Sequence, residues 1–278
     1  MTGTTSPGGA LVTGAGGGLG ARIAGLLAGR GHAVHVTDVD PAAARATADG
    51  IGHGAFASAL DVRDDAACTA AATATVERSG RLDVWVNNAG VLVTGPAWEQ
   101  TADQRRLMMD VNATGVVNGT VAAINAMRGS GGGHIVNIAS LAGLVAVPGE
   151  GVYAGSKHAV LGFSLSTQCD LRMAGIDGIR ISCVCPDGIW TPMLHDRLDD
   201  PGAALSFSGK LLTVGEVTAA VDKVLDRPRQ VTAVPAWRGV QVRVMDALPE
   251  LGLRSLPLGV ALGRRAQKKL SRTDGPTP

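Results

Sequence analysis

Aromatic and strongly charged segments are scarce in this chain. Aromatic residues make up only 3% of its 278 residues, with three phenylalanines and a single tyrosine. Acids and bases are interspersed and nearly cancel, leaving a formal net charge of +1, which argues against a nucleic-acid groove or a polyanionic surface. No uninterrupted apolar run approaches the length of about eighteen residues that suggests a membrane-spanning helix, so none is expected.

Cysteine and histidine are also too sparse to suggest a cross-linked or metal-binding scaffold. The cysteines are Cys68, Cys169, Cys183 and Cys185. Cys183 and Cys185 alternate on one predicted strand, a poor disulfide geometry that also lacks the two-residue spacer of redox or zinc pairs. The six histidines are scattered without metal-ligand spacing. We therefore expect reduced, buried thiols, a cytoplasmic location and no metal site.

What the chain does have is a regular alternation of apolar strand-like runs with longer helical patterns. This alternation is typical of a parallel sheet covered by helices on both faces. The predicted strands lie near residues 10–13, 33–38, 55–60, 83–87, 134–139, 179–185 and 231–234, and the longest predicted helices near 103–128 and 153–174. A chain of this length can bury one full core. The pattern predicts a single α/β domain with a doubly wound parallel sheet of about seven strands.

A glycine-rich turn follows the first predicted strand and opens a helical pattern. Glycines let the backbone approach a pyrophosphate, and a helix N-terminus presents free N–H groups and the positive end of its dipole. The next strand ends in Asp38, about twenty residues further on, where a carboxylate can accept hydrogen bonds from both ribose hydroxyls of adenosine. No lysine or arginine lies in the turn or directly after Asp38, so these residues predict NAD rather than NADP.

The single tyrosine, Tyr153, lies four residues before Lys157. Residues four apart share a helix face, so the lysine ammonium can lie beside the phenol oxygen. A nearby cation favours phenolate, and lowering the phenol pKa from about 10 by about three units corresponds to roughly 4 kcal/mol. The pair predicts a general acid/base usable near neutral pH. Taken alone, the same spacing is more often a tyrosine packed at a helix edge beside a surface lysine.

Further short motifs follow in a fixed order along the chain. They are Thr-Gly-Ala-Gly-Gly-Gly-Leu-Gly at residues 13–20, Asp-Val at 61–62, Asn-Asn-Ala-Gly at 87–90, a serine thirteen residues before Tyr153, and Pro-Asp-Gly-Ile-Trp-Thr at 186–191. Together they resemble the short-chain dehydrogenase/reductase family over roughly residues 8–235. The resemblance implies a Rossmann fold and a bound NAD. It places the cofactor contacts at Gly14, Gly18, Leu19, Gly20, Asp38, Asp61, Val62, Asn88, Ala89, Gly90, Tyr153, Lys157, Pro186, Ile189 and Thr191.

The same resemblance places a catalytic tetrad at Asn112, Ser140, Tyr153 and Lys157. It implies that Ser140 donates to the substrate oxygen as charge develops there, that Tyr153 exchanges the proton, and that Lys157 also bonds the nicotinamide ribose. Asn112 would hold a water that links Lys157 to solvent; a helix kink is the alternative for an asparagine inside a helix. Asp187 departs from the family, which usually has glycine at this position.

Three apolar loops are predicted at the carboxyl ends of the strands, where such a fold binds its substrate. They are residues 91–93 with Trp98, residues 141–148, and residues 192–212, the last with Met193, Leu194, Leu198, Leu205, Phe207 and Leu211. They predict a hydrophobic alcohol or ketone as substrate, such as an alicyclic, terpenoid or steroid-like compound. The alternative is that these side chains only pack beneath a lid.

The C-terminal part departs from compact family members. The predicted divisions are a disordered tail at 1–9, a catalytic domain at 10–236, an extension at 237–270 and a disordered tail at 271–278. The extension is apolar with a basic end. This pattern predicts a flap that packs either on the lid or on a partner subunit. The alternative is a segment that lies on a membrane surface. Pro249 and Pro257 are expected to break it into short helices.

These observations predict an NAD-dependent oxidoreductase that interconverts a secondary alcohol and a ketone. A nucleotide-sensing regulator that has lost the chemistry is an alternative, but it would need none of the four tetrad residues. A membrane-associated protein that uses the extension is another. The resemblance further implies a homodimer or homotetramer, because in this family the two long helices commonly pair with their copies in a neighbouring subunit.

Overall fold

The computed structural model describes residues 7–272 of the chain. Its centre is a parallel sheet of seven strands in the order β3-β2-β1-β4-β5-β6-β7. The strands are β1 (Gly9–Val12), β2 (Ala33–Asp38), β3 (Phe56–Ala59), β4 (Leu82–Asn87), β5 (Gly133–Ile138), β6 (Ile179–Pro186) and β7 (Val231–Val234). Every predicted strand is present with its ends shifted by at most one residue. The doubly wound parallel sheet predicted from the sequence is confirmed.

Helices connect the strands and cover both faces of the sheet. They are α1 (Gly18–Gly29), α2 (Pro41–Ile51), α3 (Asp65–Ser79), α4 (Ala102–Met109), α5 (Gly115–Arg128), α6 (Gly151–Met173), α7 (Pro192–His195), α8 (Val214–Asp226), α9 (Ala236–Ala247) and α10 (Pro249–Leu270). One core lies between the sheet and α1, α2 and α8, and a second between the sheet and α3, α5 and α6. Successive side chains in a strand point to opposite faces, so neighbouring residues of one strand lie in different cores. Val12 lies in the first core and Leu11 in the second.

The strand order reverses between β1 and β4, the two neighbours at the centre of the sheet. The connections leaving these strands run to opposite faces, so a crevice opens beyond their carboxyl ends. The glycine turn follows β1 and the Asn-Asn-Ala-Gly motif follows β4. The fold thereby brings both motifs to the same edge of the sheet.

A π-helical turn at Asp110–Thr114 joins α4 and α5 into one long helix. Thr101 starts this helix with a capping box, in which its side chain and that of Gln104 each bond the other residue's backbone amide. The helix Ala102–Arg128 is long and apolar enough to cross a membrane, but half of its most apolar window is buried inside the fold. Single π turns are frequent at functional sites, and this one contains Asn112.

The C-terminal extension forms two helices, α9 and α10, and α10 packs against the short 3-10 segment Pro201–Phe207. Pro249 separates the helices, as expected, by occupying the first turn of α10, where no N–H donor is needed. The prediction that Pro257 also breaks the helix is wrong, because α10 runs through it. Pro257 lies on the exposed side, so water can reach the carbonyl that loses its donor.

The extension contacts the segment that follows α7. The side-chain amide of Gln267 donates to the backbone carbonyls of Arg197 (3.1 Å) and Asp200 (2.8 Å). Gly263 lets α10 approach the backbone so closely that a Cβ there would lie 1.7 Å from the Ala204 oxygen. The extension is therefore fixed onto the segment that follows α7.

The predicted tails fall mainly outside the described residues, in residues 1–6 and 273–278. Within the described residues, the N-terminal boundary is earlier than expected, because Gly9 already belongs to β1. The Gly8 amide donates to the Asp83 carboxylate over 2.6 Å. Residues 8 and 9 are thus part of the folded domain.

Candidate active site

A cavity of about 530 Å³ lies beyond the carboxyl ends of the strands and runs from the glycine turn to Ser140, Tyr153 and Lys157. Every residue predicted to contact the cofactor lines this cavity, including Leu19, Val62 and Thr191. Of the predicted tetrad, only Asn112 is absent from its wall. The fold therefore collects motifs from all parts of the predicted catalytic domain at one site.

The glycine turn has the backbone geometry of a phosphate cradle. Gly14 and Gly18 have φ angles of 60° and 54°, a left-handed conformation that glycine adopts without steric cost. A Cβ on Gly20 would lie 2.3 Å from the Gly14 oxygen, so the turn can close only with glycine here. The N-terminus of α1 faces the cavity behind this turn. These residues fit the pyrophosphate of a dinucleotide.

The Asn-Asn-Ala-Gly motif braces that turn. The Asn88 side-chain amide donates to the carbonyls of Thr13 (3.0 Å) and Gly14 (2.9 Å). In return, the Thr13 hydroxyl accepts from the backbone amides of Asn88 and Ala89. The ends of β1 and β4 are thus locked together, which holds the cradle open toward the cavity.

Asp38 stands at the end of β2 with its carboxylate already oriented. Its Oδ2 accepts from the Gly16 amide over 2.9 Å, and its Oδ1 accepts from the Asp40 amide over 3.1 Å. A carboxylate oxygen has a second lone pair available. Asp38 can therefore accept from ribose hydroxyls while the backbone keeps it in place.

Arg63, which sequence reasoning did not single out, also lines this half of the cavity. Its guanidinium forms a bidentate pair with Asp61, with distances of 2.9 and 3.0 Å from Nε to the two carboxylate oxygens. The pair holds the pKa of the Asp61 carboxyl below its ordinary value. The sequence could have pointed to Arg63, because it lies two residues after Asp61, which was predicted to contact the cofactor.

Ser140, Tyr153 and Lys157 meet at the other end of the cavity. Ser140 follows β5, and its hydroxyl accepts from the Ala142 amide over 3.1 Å. Tyr153 and Lys157 lie one turn apart on α6, and the Lys157 Nζ is 5.8 Å from the centre of the Tyr153 ring. Gly143 lets the segment after Ser140 lie close against α6, since a Cβ there would lie 2.7 Å from the Lys157 carbonyl oxygen. The arrangement places a proton-transfer group and a hydroxyl donor around one point.

The predicted lowering of the Tyr153 pKa by Lys157 is wrong for this structure. Burial raises the pKa of the phenol, the nearby Glu150 raises it further, and the hydrogen bond with Ser140 lowers it only in part. Lys157 donates to the Ile138 carbonyl over 3.0 Å rather than to the phenol. Burial in turn lowers the pKa of the Lys157 ammonium to about 8. Desolvation therefore outweighs the charge pairing expected from the spacing.

Asn112 lies fully buried behind the cavity rather than in its wall. Its side-chain oxygen accepts from the Val91 amide and its nitrogen donates to the Val91 carbonyl, both over 2.8 Å. The same nitrogen donates to the Ser156 hydroxyl over 3.1 Å. Asn112 thus ties the loop after β4 to the helix that carries Tyr153 and Lys157, which makes it a positioning residue in this structure.

The turn after β6 is fixed by an ion pair that the sequence motif does not predict. Asp187 accepts from the Arg238 Nε of α9 over 2.8 Å, with side-chain exposures of 12% and 18%. Its other oxygen accepts from the Gly188 amide over 3.0 Å. The aspartate that replaces the family's glycine therefore connects the C-terminal extension to the turn that carries Ile189 and Thr191.

Some side chains of the predicted apolar loops line the cavity, and others pack against each other away from it. The cavity is lined by apolar side chains of all three loops, namely Val91, Leu92, Leu141, Val145, Val147, Met193, Leu194 and Leu205. Phe207, Leu211 and Leu198 instead pack together beneath the lid with Leu194. Trp98 is 83% exposed and does not line the cavity, so its predicted role is wrong. Some side chains of these loops therefore line the cavity and others only pack together, while the hydrophobic substrate stays a prediction.

Glu150 is a buried carboxyl in the cavity wall that sequence reasoning missed. Burial raises its pKa to about 7, and a hydrogen bond from Ser206 to its Oε1, over 2.5 Å, opposes this rise. The sequence could have pointed to Glu150, because it lies three residues before Tyr153 and residues three apart share one side of a helix.

Comparison with known proteins places this geometry among dehydrogenases. A family model described as short chain dehydrogenase matches residues 9–202. The chain is 41% identical over 200 residues to a 2-(R)-hydroxypropyl-CoM dehydrogenase of Xanthobacter autotrophicus, covering 69% of this chain and 78% of that protein. It is 39% identical over 193 residues to a trans-4-hydroxycyclohexanecarboxylate dehydrogenase of Sinomonas cyclohexanicum, covering 66% and 73%.

A solved structure shows the same fold. It is a short chain dehydrogenase/reductase from Burkholderia phymatum in complex with NAD. The two chains are 29% identical and superimpose with a TM-score of 0.80, covering 89% of this chain and 95% of the other. The likeness covers a larger share of this chain than the family model does.

Proposed function

We propose that this chain, which belongs to the short-chain dehydrogenase family, uses NAD to interconvert a hydrophobic secondary alcohol and its ketone. Its relatives support the broader statement that it is an oxidoreductase acting on alcohol or ketone groups. The observation that carries the proposal is the shared cavity. Its wall contains the glycine turn and Asp38 at one end and Ser140, Tyr153 and Lys157 at the other.

The residues present fit a dinucleotide. The glycine turn and α1 would hold the pyrophosphate, Asp38 the adenosine ribose, Lys157 the nicotinamide ribose, and Ile189 and Thr191 the carboxamide. When bound, NAD would supply the hydride acceptor in the oxidation of the alcohol. The solved relative that carries NAD supports this choice of cofactor.

The chain's own residues handle the proton and the substrate oxygen. The Tyr153 phenolate takes the hydroxyl proton in oxidation, and the phenol returns it in ketone reduction. The Ser140 hydroxyl donates to the same substrate oxygen. The Lys157 ammonium, buried one turn from the phenol, would stabilise the phenolate, because a nearby positive charge favours the anionic form.

The substrate half of the cavity favours an apolar molecule. Its side chains come from the loops after β4 and β5, from the segment around α7 and from Val242 of α9. An apolar wall with a few polar groups is typical of small-molecule sites, and it supports an alicyclic or similar hydrophobic substrate. A cytoplasmic location agrees with the free state of the cysteines, of which Cys169 is exposed rather than buried as expected.

The test is formation of NADH, followed by its absorbance, with a panel of hydrophobic secondary alcohols and with NAD or NADP. We expect turnover with NAD and at least one alicyclic alcohol. A Ser140→Ala variant should lose at least about a hundredfold in kcat, as expected when a donor to the developing oxyanion is removed. If NADH binds but no alcohol or ketone in the panel reacts, the nucleotide-sensing alternative replaces this proposal.

A further inference from the structure

Glu150 occupies an unusual position for a carboxylate. It is the residue that precedes α6, yet its side chain caps no backbone amide of that helix. It is only 2% exposed and lines the cavity. An acid at a helix start is normally explained by the free amides and the helix dipole. That explanation does not apply here, because the carboxyl is directed elsewhere.

Only one of its oxygens is engaged by the protein. Ser206 donates to Oε1 over 2.5 Å, and among residues 7–272 no side chain or backbone amide donates to Oε2. Arg197 is near enough to favour the anion, but its guanidinium donates to the backbone carbonyls of Met193 and Leu92. No ion pair with Glu150 forms within the described part of the chain. One acceptor is therefore left for a ligand.

A buried carboxyl without a cation lowers the stability of a protein, and an amide or an apolar side chain of similar size would be less costly. Apolar residues of the cavity wall lie next to it, since the Glu150 amide donates to the Val147 carbonyl and Leu205 precedes the Ser206 that bonds the carboxyl. A polar group that the fold does not need for its own hydrogen bonds, placed in such a wall, fixes the orientation of a ligand.

We propose that Glu150 and Ser206 form a second polar subsite of this cavity, which binds a hydroxyl group of the substrate away from the reacting carbon. This inference rests on the proposed function and narrows it. The preferred substrate is an alicyclic or similarly apolar alcohol that carries a second hydroxyl, or the corresponding hydroxyketone.

The charges in the cavity select this group over others. An anionic substituent would face the Glu150 carboxylate, and a cationic one would share the cavity with Lys157 and Arg238. A hydroxyl can donate to the free Oε2 of the carboxylate, which Ser206 holds in place through Oε1, without bringing a charge into the cavity. A substrate with a single oxygen would leave Oε2 without a donor, which lowers its affinity relative to the diol.

The experiment compares cyclohexanol with the 1,2-, 1,3- and 1,4-cyclohexanediols in the NAD reduction assay, for the wild type and Glu150→Gln. We expect the wild type to prefer one diol over cyclohexanol by at least about tenfold in kcat/KM, in line with hydrogen bonds to charged groups. Glu150→Gln should remove most of this preference, mainly by raising the KM for the preferred diol relative to the KM for cyclohexanol.

Two further variants keep the result interpretable. Glu99→Gln makes the same chemical change on an exposed carboxylate outside the cavity wall and should leave the preference unchanged. Ser206→Ala removes the donor to Oε1 and should reduce the preference in part, so it also tests the subsite if Glu150→Gln does not fold.

The outcomes separate the two proposals. The subsite is overturned if cyclohexanol is oxidised but no diol is preferred, or if Glu150→Gln lowers activity on cyclohexanol and the diols equally, because the residue then acts on Tyr153 or on the fold. If neither cyclohexanol nor any other secondary alcohol reduces NAD, it is the proposed function that fails, and the subsite falls with it.

Discussion

We propose that Asp38 controls the choice of cofactor through a carboxylate that two backbone amides hold in place. A 2′-phosphate would bring like-charged oxygens to hydrogen-bond distance of it. Arg63, which lines this half of the cavity, is already paired with Asp61. The residue thus combines attraction for the ribose of NAD with repulsion of NADP.

We expect NAD to be preferred over NADP by about a hundredfold or more in kcat/KM, on the order of 3 kcal/mol. Asp38→Ala should weaken NAD and improve NADP, and a further Val39→Arg should improve NADP again by offering the phosphate a bidentate partner. Steady-state kinetics with both cofactors measure the ratio. An unchanged ratio in Asp38→Ala would show that another residue reads the ribose.

Glu150 makes stability depend on pH in a defined direction. Its folded pKa of about 7 lies above the ordinary value of 4.5, so between these values the folded protein keeps a proton that the unfolded chain releases. Stability is therefore lost as the pH rises from about 4.5 through 7, by roughly 3 kcal/mol in total. Glu150→Gln lacks this loss.

The Tm difference between Glu150→Gln and the wild type should accordingly grow by several degrees in favour of the variant from pH 4.5 to pH 8. Buried histidines such as His35 and His134, whose pKa values burial lowers to about 4, occur in both proteins and cancel in the difference. Thermal unfolding across this range is the measurement. A difference that stays constant with pH would mean that folding does not shift the pKa of Glu150.

The turn after β6 depends on a helix that lies far along the chain. The Asp187–Arg238 pair is partly buried, and removing one member of such a pair leaves the other without its partner. Arg238→Ala should destabilise the fold by about 1 to 3 kcal/mol and raise the KM for NAD more than it lowers kcat, because the turn binds the cofactor rather than the reacting atoms.

Thermal unfolding and NAD titrations check this expectation. Arg254→Ala, which removes an exposed arginine of α10, should change neither quantity. If Arg238→Ala behaves like Arg254→Ala, the pair does not hold the turn.

The elements were predictable from sequence where a local pattern determines them. Each strand alternates or is continuously apolar, so its ends could be placed within one residue, and the glycine turn and Pro249 have local backbone effects. Pro257 was misjudged because its cost depends on which side of α10 meets water. Contacts such as Asp187 with Arg238 and Glu150 with Ser206 join residues more than fifty positions apart, and no local pattern encodes them.

The tetrad shows the same division. The sequence predicted Ser140, Tyr153 and Lys157 as catalytic residues; all three line the cavity, and their catalytic roles stay a prediction. The direction of the Tyr153 pKa was not predictable, since it follows from burial by the whole fold and from Glu150. Asn112 lies in a π-helical turn and outside the cavity wall, and the spacing of the motifs indicated neither.

At the scale of the whole molecule, the long helices leave apolar side chains uncovered. Leu107, Met109, Val121, Leu165 and Met173 of α4, α5 and α6 are each at least 37% exposed. Scattered apolar residues are ordinary on a surface, but several on adjoining helices suggest an interface. We propose that these helices pair with their copies in a homodimer or homotetramer.

Light scattering with size-exclusion chromatography should give a mass of at least twice the chain mass of 28.1 kDa. Leu165→Asp should shift the mass toward the monomer by placing a charge in the interface. Met173→Asp at the end of α6, which is 84% exposed, should have a smaller effect. A wild-type monomer at micromolar concentration would contradict the pairing.

The central claim is that one cavity binds NAD and carries out proton transfer through Tyr153. Tyr153→Phe removes only the phenolic oxygen, so the most direct measurement is its kcat together with its affinity for NADH, compared with the wild type. We predict that turnover is abolished, because the proton-transfer group is lost, while the Kd for NADH changes by no more than severalfold. Retention of more than about a tenth of the wild-type kcat would contradict the catalytic assignment, and loss of NADH binding would show that Tyr153 is structural.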